Sequence, residues 1–293
     1  MGYDVLSPQT PVTAGWILIE HPGPWGQLPA ARSALVEPRI REAAARHRLS
    51  LNLIRRYGRQ RPRPDGPPGT FSCFLVGLRE SGRFVEELTL THQDQLTDQA
   101  IELLAQGRPS GLGRLGDEPL YLVCSHGRVE AACAVRGRPV ARELTAAAPG
   151  RVWESTHVGG CRFAANVVCL PAGVYYGYVP PADAGRIVEA TREGRIAPAW
   201  YRGRVGLPAS GQTADAFLRH AINLAGTEAI KLVKALHDGN GLHHVEFTSD
   251  WAHYTLLLRD RPPAPHAATC PPERRQHSGD LQVVSMVETR RRG

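Results

Sequence analysis

Several features are missing from this sequence, and each absence removes a class of function. No stretch approaches ~18 consecutive apolar residues, so no membrane span is expected. The first residues, MGYDVLSPQTPV, lack a basic region followed by an apolar core, so no secretory signal is expected. Leu6 stands where N-myristoylation after Met1-Gly2 requires Ser or Thr. CxxC occurs nowhere, which argues against a thiol–disulfide oxidoreductase and against zinc knuckles. Dense Lys/Arg stretches interleaved with aromatics are also missing, so no nucleic acid partner is expected.

What remains is an ordinary soluble composition, with 22% charged and 42% hydrophobic residues in 293. That length accommodates about two domains, each able to bury a core. The net charge of +7 comes mainly from arginine and admits an acidic partner, such as an acidic redox protein or an anionic small molecule. Six cysteines without an export signal imply a reducing, cytoplasmic setting. There they serve as metal ligands, catalytic groups or buried residues rather than disulfides.

Periodicity and breakers give the element order. GWILIEH at 15–21 reads as a strand, followed by the loop His21-Pro-Gly-Pro-Trp-Gly. A helix is expected over 29–47, a strand at 51–58 and a Pro-rich loop after it. TFSCFLVGL and RFVEELTL read as a hairpin, with a helix over 92–106. The second stretch repeats this order: a strand at 119–124, a helix at 128–147 interrupted by Gly137 and Pro139, and a strand at 152–156. A hairpin across Pro171–Gly173 and a helix at 181–194 complete it. Strand, helix, strand, hairpin, helix is the thioredoxin-like order. The expected fold is therefore α/β: two tandem thioredoxin-like domains with a C-terminal α+β extension. The expected boundaries are 1–112 for a ligand-free N-terminal domain, 113–196 for the ligand-bearing domain, and 197–293 for the extension and a loosely ordered tail. In the extension, residues 212–226 read as a helix, 243–250 and 251–260 as strands, and LQVVSMV as an edge strand.

The chemistry concentrates in two pairs. Cys124 and Cys133 bracket CSHGRVEAAC, the first ending a strand and the second inside the next helix. His157 and Cys161 bracket HVGGC after the following strand. There Gly159 and Gly160 let the backbone wrap closely around a bound ion or cluster. Four soft or borderline donors, each at a loop, suit a four-coordinate site. Cys73 and Cys169 read as small buried hydrophobes, and Cys270 as a tail thiol. His126, Arg128 and Arg162 lie close in sequence to the ligands and are candidates to support them.

CSHGRVEAAC, then HVGGCRFAANVVCLPAGVYYGYV, then YRGR at 201–204, resembles the sucrase/ferredoxin-like family, which belongs with thioredoxin-like [2Fe-2S] ferredoxins. GWILIEHPGPWG and LIRRYGR resemble that family's N-terminal half, so the likeness covers about 12–260. The family pattern is two cysteines separated by eight residues, then HxGGH or HxGGC. It implies that Cys124, Cys133 and His157 are cluster ligands. The fourth falls on Cys161, where many relatives have histidine, which makes the set Cys3His. The resemblance also makes Tyr201, Arg202 and Arg204 candidates to close over the site or meet a partner.

The implied activity is one-electron transfer to or from a redox partner protein or a small redox-active iron chelate. The same four ligands would also suit structural zinc, which stays open here. The word sucrase suggests glycoside hydrolysis, but Glu20, Asp183 and Glu246 are scattered and no carboxylate pair faces one sugar bond. An electron carrier is expected rather than an enzyme.

Overall fold

The computed structural model describes residues 11, 13–58, 67–79, 82–261 and 280–290. The first half of the chain contributes strands β1 (Gly15–Glu20), β2 (Ser50–Arg55), β3 (Phe71–Arg79), β4 (Gly82–Leu90) and β5 (Arg114–Gly116). Its helices are α1 (Pro38–Arg46) and α2 (Asp98–Ala105). The second half contributes β6 (Leu120–Cys124), α3 (Ala131–Ala147), β7 (Val152–Ser155), β8 (Val167–Leu170), β9 (Val174–Tyr176), α4 (Ala184–Arg192) and β10 (Tyr201–Arg204).

All ten strands join in one sheet, ordered β10-β9-β8-β6-β7-β2-β1-β3-β4-β5. The two halves show the same ladder. β1 runs parallel to β2 and antiparallel to β3, which pairs with β4; β6 runs parallel to β7 and antiparallel to β8, which pairs with β9. They meet edge to edge through β2 and β7, antiparallel, with Arg55 opposite Glu154. That register places an ion pair across the junction, Arg55 Nε to Glu154 Oε2 at 2.8 Å. β5 adds to the first ladder and β10 to the second. Elements just beyond the expected boundaries at 112 and 196 thus belong by pairing to the preceding half.

Three apolar cores flank this sheet. One lies under α1 and α2, and one under α3 and α4. The third draws on both halves, packing Trp16, Leu18 and Phe74 with Leu122, Trp153 and Tyr175, and it takes in Cys124, Cys133 and Cys161. The cysteine site therefore sits at the seam between the halves.

Two helices differ from expectation. The helix expected over 29–47 begins only at Pro38, after a 3₁₀ turn at Ala30–Arg32. Proline has no N–H to donate and pushes the preceding residue out of helical conformation, so Glu37 becomes the cap. The helix at 128–147 is not interrupted: α3 runs through Gly137 and Pro139. Gly137 is where α3 touches β6, since a Cβ there would lie 2.2 Å from the Cys124 carbonyl oxygen.

Helix α5 (Ala209–Ala221) packs beside β10 and against a second, antiparallel sheet, β11 (Lys231–His237), β12 (Leu242–Thr248), β13 (Ala252–Arg261) and β14 (Asp280–Arg290). β11 was not expected from the sequence, because its residues are exposed or half-buried and carry no apolar alternation. The tip between β3 and β4, the Pro-rich stretch 59–66 and Cys270 lie outside the described residues. Among the described residues, no helix is long and apolar enough to cross a membrane.

Candidate metal centre

The four residues singled out by spacing converge. Cys124 ends β6, Cys133 lies in the first turn of α3, and His157 and Cys161 bracket the loop after β7. Each side chain faces two of the others. The Cys133 thiol lies between Cys124 and Cys161, and the His157 imidazole also lies between Cys124 and Cys161. Cys161 Sγ is 3.2 Å from His157 Nδ1. The cysteines are buried, while His157 is half-buried and marks the open side.

Crowding of four donors sorts the protons among them. A hydrogen bond from Cys133, aided by His157, holds Cys124 well below the usual thiol range against its burial. The same combination, Cys133 first, lowers Cys161 to about 6 against burial. Cys133 is pushed up by its two thiolate neighbours and keeps its proton. Burial alone would lower the His157 pKa, but Cys124 and Cys161 outweigh it and raise it to about 10. Two buried thiolates thus share one thiol as hydrogen-bond donor and face a single imidazolium, whose charge offsets one of the two. A cationic group would take over that role and release both protons.

The loop carrying His157 and Cys161 is tied down from behind. Gly159 and Gly160 sit at φ 95° and 65°, a left-handed path that side chains with a Cβ rarely take. Several of the loop's carbonyls are held by side chains. Asn52 Nδ2 donates to the His157 carbonyl at 3.0 Å and to the Thr156 carbonyl at 3.1 Å. The Tyr175 hydroxyl donates to the Val158 carbonyl at 3.0 Å, and Asn166 Nδ2 to the Gly160 carbonyl at 2.9 Å. Asn52 is fixed in turn, its Oδ1 accepting from Trp16 Nε1 at 2.7 Å. Sequence reasoning missed these three. A buried Asn inside the apolar run LNLIRR was the available signal, since such a side chain needs partners.

The supporting candidates divide. His126 is buried; its Nδ1 accepts from the His157 N–H at 3.3 Å, and its Nε2 lies 3.0 Å from the Gly26 carbonyl oxygen. These two bonds select the tautomer with the proton on Nε2. Trp25 meets His126 edge-on at 5.9 Å and lies under Arg55 at 4.2 Å. The HPGPWG loop therefore packs inward on the ligand loop. Arg162 stacks on Phe163 at 4.7 Å, and Arg202 reaches the same ring at 5.3 Å. Arg128 is exposed on the loop before α3.

Tyr201 and Arg204 serve a different buried network. The Tyr201 hydroxyl donates to Asp215 Oδ2, which also accepts from Arg219 Nε at 3.0 Å. Arg204 Nη1 donates to the Thr227 carbonyl at 3.0 Å. A register shift between Tyr201 and Gly203 places both side chains toward α5, where they lock β10 to that helix. Only Arg202 of YRGR reaches the residues beside Cys161.

The sucrase/ferredoxin-like family model matches residues 14–203. A curated relative, altered inheritance of mitochondria protein 32 of Meyerozyma guilliermondii, is 35% identical over 153 residues. That match takes in 48% of this chain and 47% of the relative, so the chain spans about half the length of the curated relative it matches. Among solved structures, a thioredoxin-like [2Fe-2S] ferredoxin from Aquifex aeolicus is similar at 24% identity, with a TM-score of 0.28, over 32% of this chain and 97% of that one. A cysteine-to-serine variant of the same ferredoxin is similar at 24% identity, with a TM-score of 0.26, over 29% of this chain and 97% of the other.

Proposed function

Since the chain belongs to the sucrase/ferredoxin-like family, we propose that it is a one-electron carrier holding a [2Fe-2S] cluster on Cys124, Cys133, His157 and Cys161. The observation that carries this reading is the convergence of these four side chains at one buried seam, two of them already favouring the thiolate. The donor set fits the group. Three sulfurs and one imidazole face one another, and the loop's carbonyls have side-chain hydrogen-bond partners of their own. When bound, the cluster would supply reversible single-electron uptake. Replacing one thiolate with neutral imidazole makes such a centre less negative. Its potential is then expected above that of an all-cysteine plant-type ferredoxin and below that of a Rieske centre with two histidines.

The protein's own part is to hold the ligands still and to offer one side for exchange. His157 is the half-buried ligand, so electrons enter or leave along its edge. Arg128, exposed on the loop before α3, and Arg162 and Arg202, half-buried beside Phe163, bring basic groups close in sequence or in space to Cys133 and Cys161. These basic groups suit an acidic redox protein or an anionic iron chelate. The repeated ladder supports reading the chain as two tandem thioredoxin-like units, 1–112 and 113–196 plus the strands that pair with them, followed by the extension from 197. Five free cysteines, all buried and none paired in a disulfide among the described residues, support a reducing, cytoplasmic setting.

Structural zinc on the same ligands is the competing reading. Iron and acid-labile sulfide analysis of anaerobically purified protein separates the two. Two irons and two sulfides per chain, with visible absorption, support the carrier; colourless protein with one zinc per chain overturns it.

A further inference from the structure

A second group of metal-binding side chains lies on the C-terminal sheet, outside residues 14–203 matched by the family model. His237 ends β11 and His243 lies at the start of β12, directly opposite it across the hairpin. Directly opposed residues hold their side chains within reach of each other, and these two imidazole rings lie 4.5 Å apart. Asp260, near the end of β13, completes the group. Its N–H donates to the Gly241 carbonyl at 2.9 Å, which fixes β13 beside the turn. Asp260 Oδ1 is 3.0 Å from His243 Nε2, and Oδ2 is 4.0 Å from His237 Nε2. The three donor atoms all lie within 4.8 Å of one another.

Donors sharing one ion at bond lengths of about 2.0–2.2 Å stand roughly 3.0–3.6 Å apart. The separations here bracket that spacing. The hairpin that presents the histidines is itself held, since Asp238 Oδ1 accepts from the Asn240 N–H at 2.7 Å and the Leu242 N–H at 3.0 Å. Gly241 takes φ 82°, and a Cβ there would come 3.3 Å from Asp260 Oδ2, so glycine leaves room for the carboxylate. An ordinary surface ion pair would use one histidine. The second imidazole, facing the first, would add a like charge if both were protonated, whereas a shared cation takes both as neutral donors.

We propose that His237, His243 and Asp260 form a second, solvent-open site for a divalent transition ion that accepts imidazole and carboxylate, of the zinc and iron(II) class. His237 and Asp260 are about half exposed, at 48% and 54%, so coordination positions beyond these three stay open to water. The proposal does not rest on the cysteine site.

The test dialyses the full chain, as purified with its cysteine site intact, against zinc chloride and counts bound zinc by mass spectrometry. Wild type, the His237→Ala/His243→Ala double variant and Asp260→Asn are compared, with circular dichroism to confirm folding. Wild type is expected to hold one zinc more per chain than the double variant. Asp260→Asn, which keeps size at an exposed position, is expected to bind at least tenfold more weakly in a calorimetric zinc titration. Cobalt(II) should likewise give ligand-field bands in wild type that the double variant lacks. Equal zinc uptake by wild type and the double variant, or equal affinity in Asp260→Asn, would overturn the proposal.

Discussion

Asn52 lies in the N-terminal half of the chain, yet it should control how firmly the loop of His157 and Cys161 is held. Its two amide hydrogens serve the His157 and Thr156 carbonyls and the Thr156 hydroxyl at 3.0–3.1 Å, all at buried or part-buried positions. Asn52→Asp keeps the shape and still accepts from Trp16, but it has no hydrogens to offer. Two buried carbonyls then face a carboxylate. Each buried polar group left unsatisfied costs about 1–3 kcal/mol, so the expected loss is about 3 kcal/mol of stability. If that loss falls wholly on opening of the 156–160 loop, iron release should accelerate roughly a hundredfold, at about 1.4 kcal/mol per factor of ten. The assay pairs urea unfolding with the rate of iron transfer to a coloured ferrous chelator under anaerobic conditions. A variant within about 0.5 kcal/mol of wild type, releasing iron within twofold of the wild-type rate, would refute the idea that the N-terminal half positions the loop.

Other outcomes follow from the same contacts. Gly137→Ala would place a methyl 2.2 Å from the Cys124 carbonyl oxygen, so α3 must shift and carry Cys133 with it. The expected cost is about 1–3 kcal/mol, with a changed visible spectrum; an unchanged spectrum and stability would mean the helix is not pinned there. Asp215→Ala removes the buried carboxylate between Tyr201 and Arg219 and should cost about 3–5 kcal/mol. The cluster spectrum of the folded protein should stay the same, whereas a shifted spectrum would tie Tyr201 to the site after all. Burial pushes the Cys73 and Cys169 thiols from 9.0 up to about 12. Their contribution to stability is therefore whole below pH 9 and lost as pH rises toward 12, about 1.4 kcal/mol per pH unit for each thiol. Urea midpoints at pH 8 and pH 10 check the sign, and a midpoint that rises would contradict it.

The grouping of the four donors was legible because its pattern is local: two cysteines at a strand-to-helix connection, and a histidine and cysteine around two glycines. What holds them was not. Asn52 reaches His157 only because β2 pairs with β7 across the seam, and no pattern within either strand announces that pairing. Proline and glycine mark HPGPWG only as a loop, and nothing in that pattern shows that Trp25 is buried against His126. YRGR misled because the register shift in β10 turns Tyr201 and Arg204 toward α5, and a shift of one residue leaves no mark in the sequence. Gly137 and Pro139 suggested a broken helix by propensity, yet close packing of α3 on β6 requires the glycine where it stands.

Pulsed EPR of the dithionite-reduced protein tests the central claim most directly, by counting nitrogen ligands on the centre. The account predicts a reduced [2Fe-2S] signal with one strongly coupled histidine nitrogen, absent in His157→Cys and joined by a second in Cys161→His. A signal with no histidine coupling, or one that His157→Cys leaves unchanged, would contradict ligation by Cys124, Cys133, His157 and Cys161.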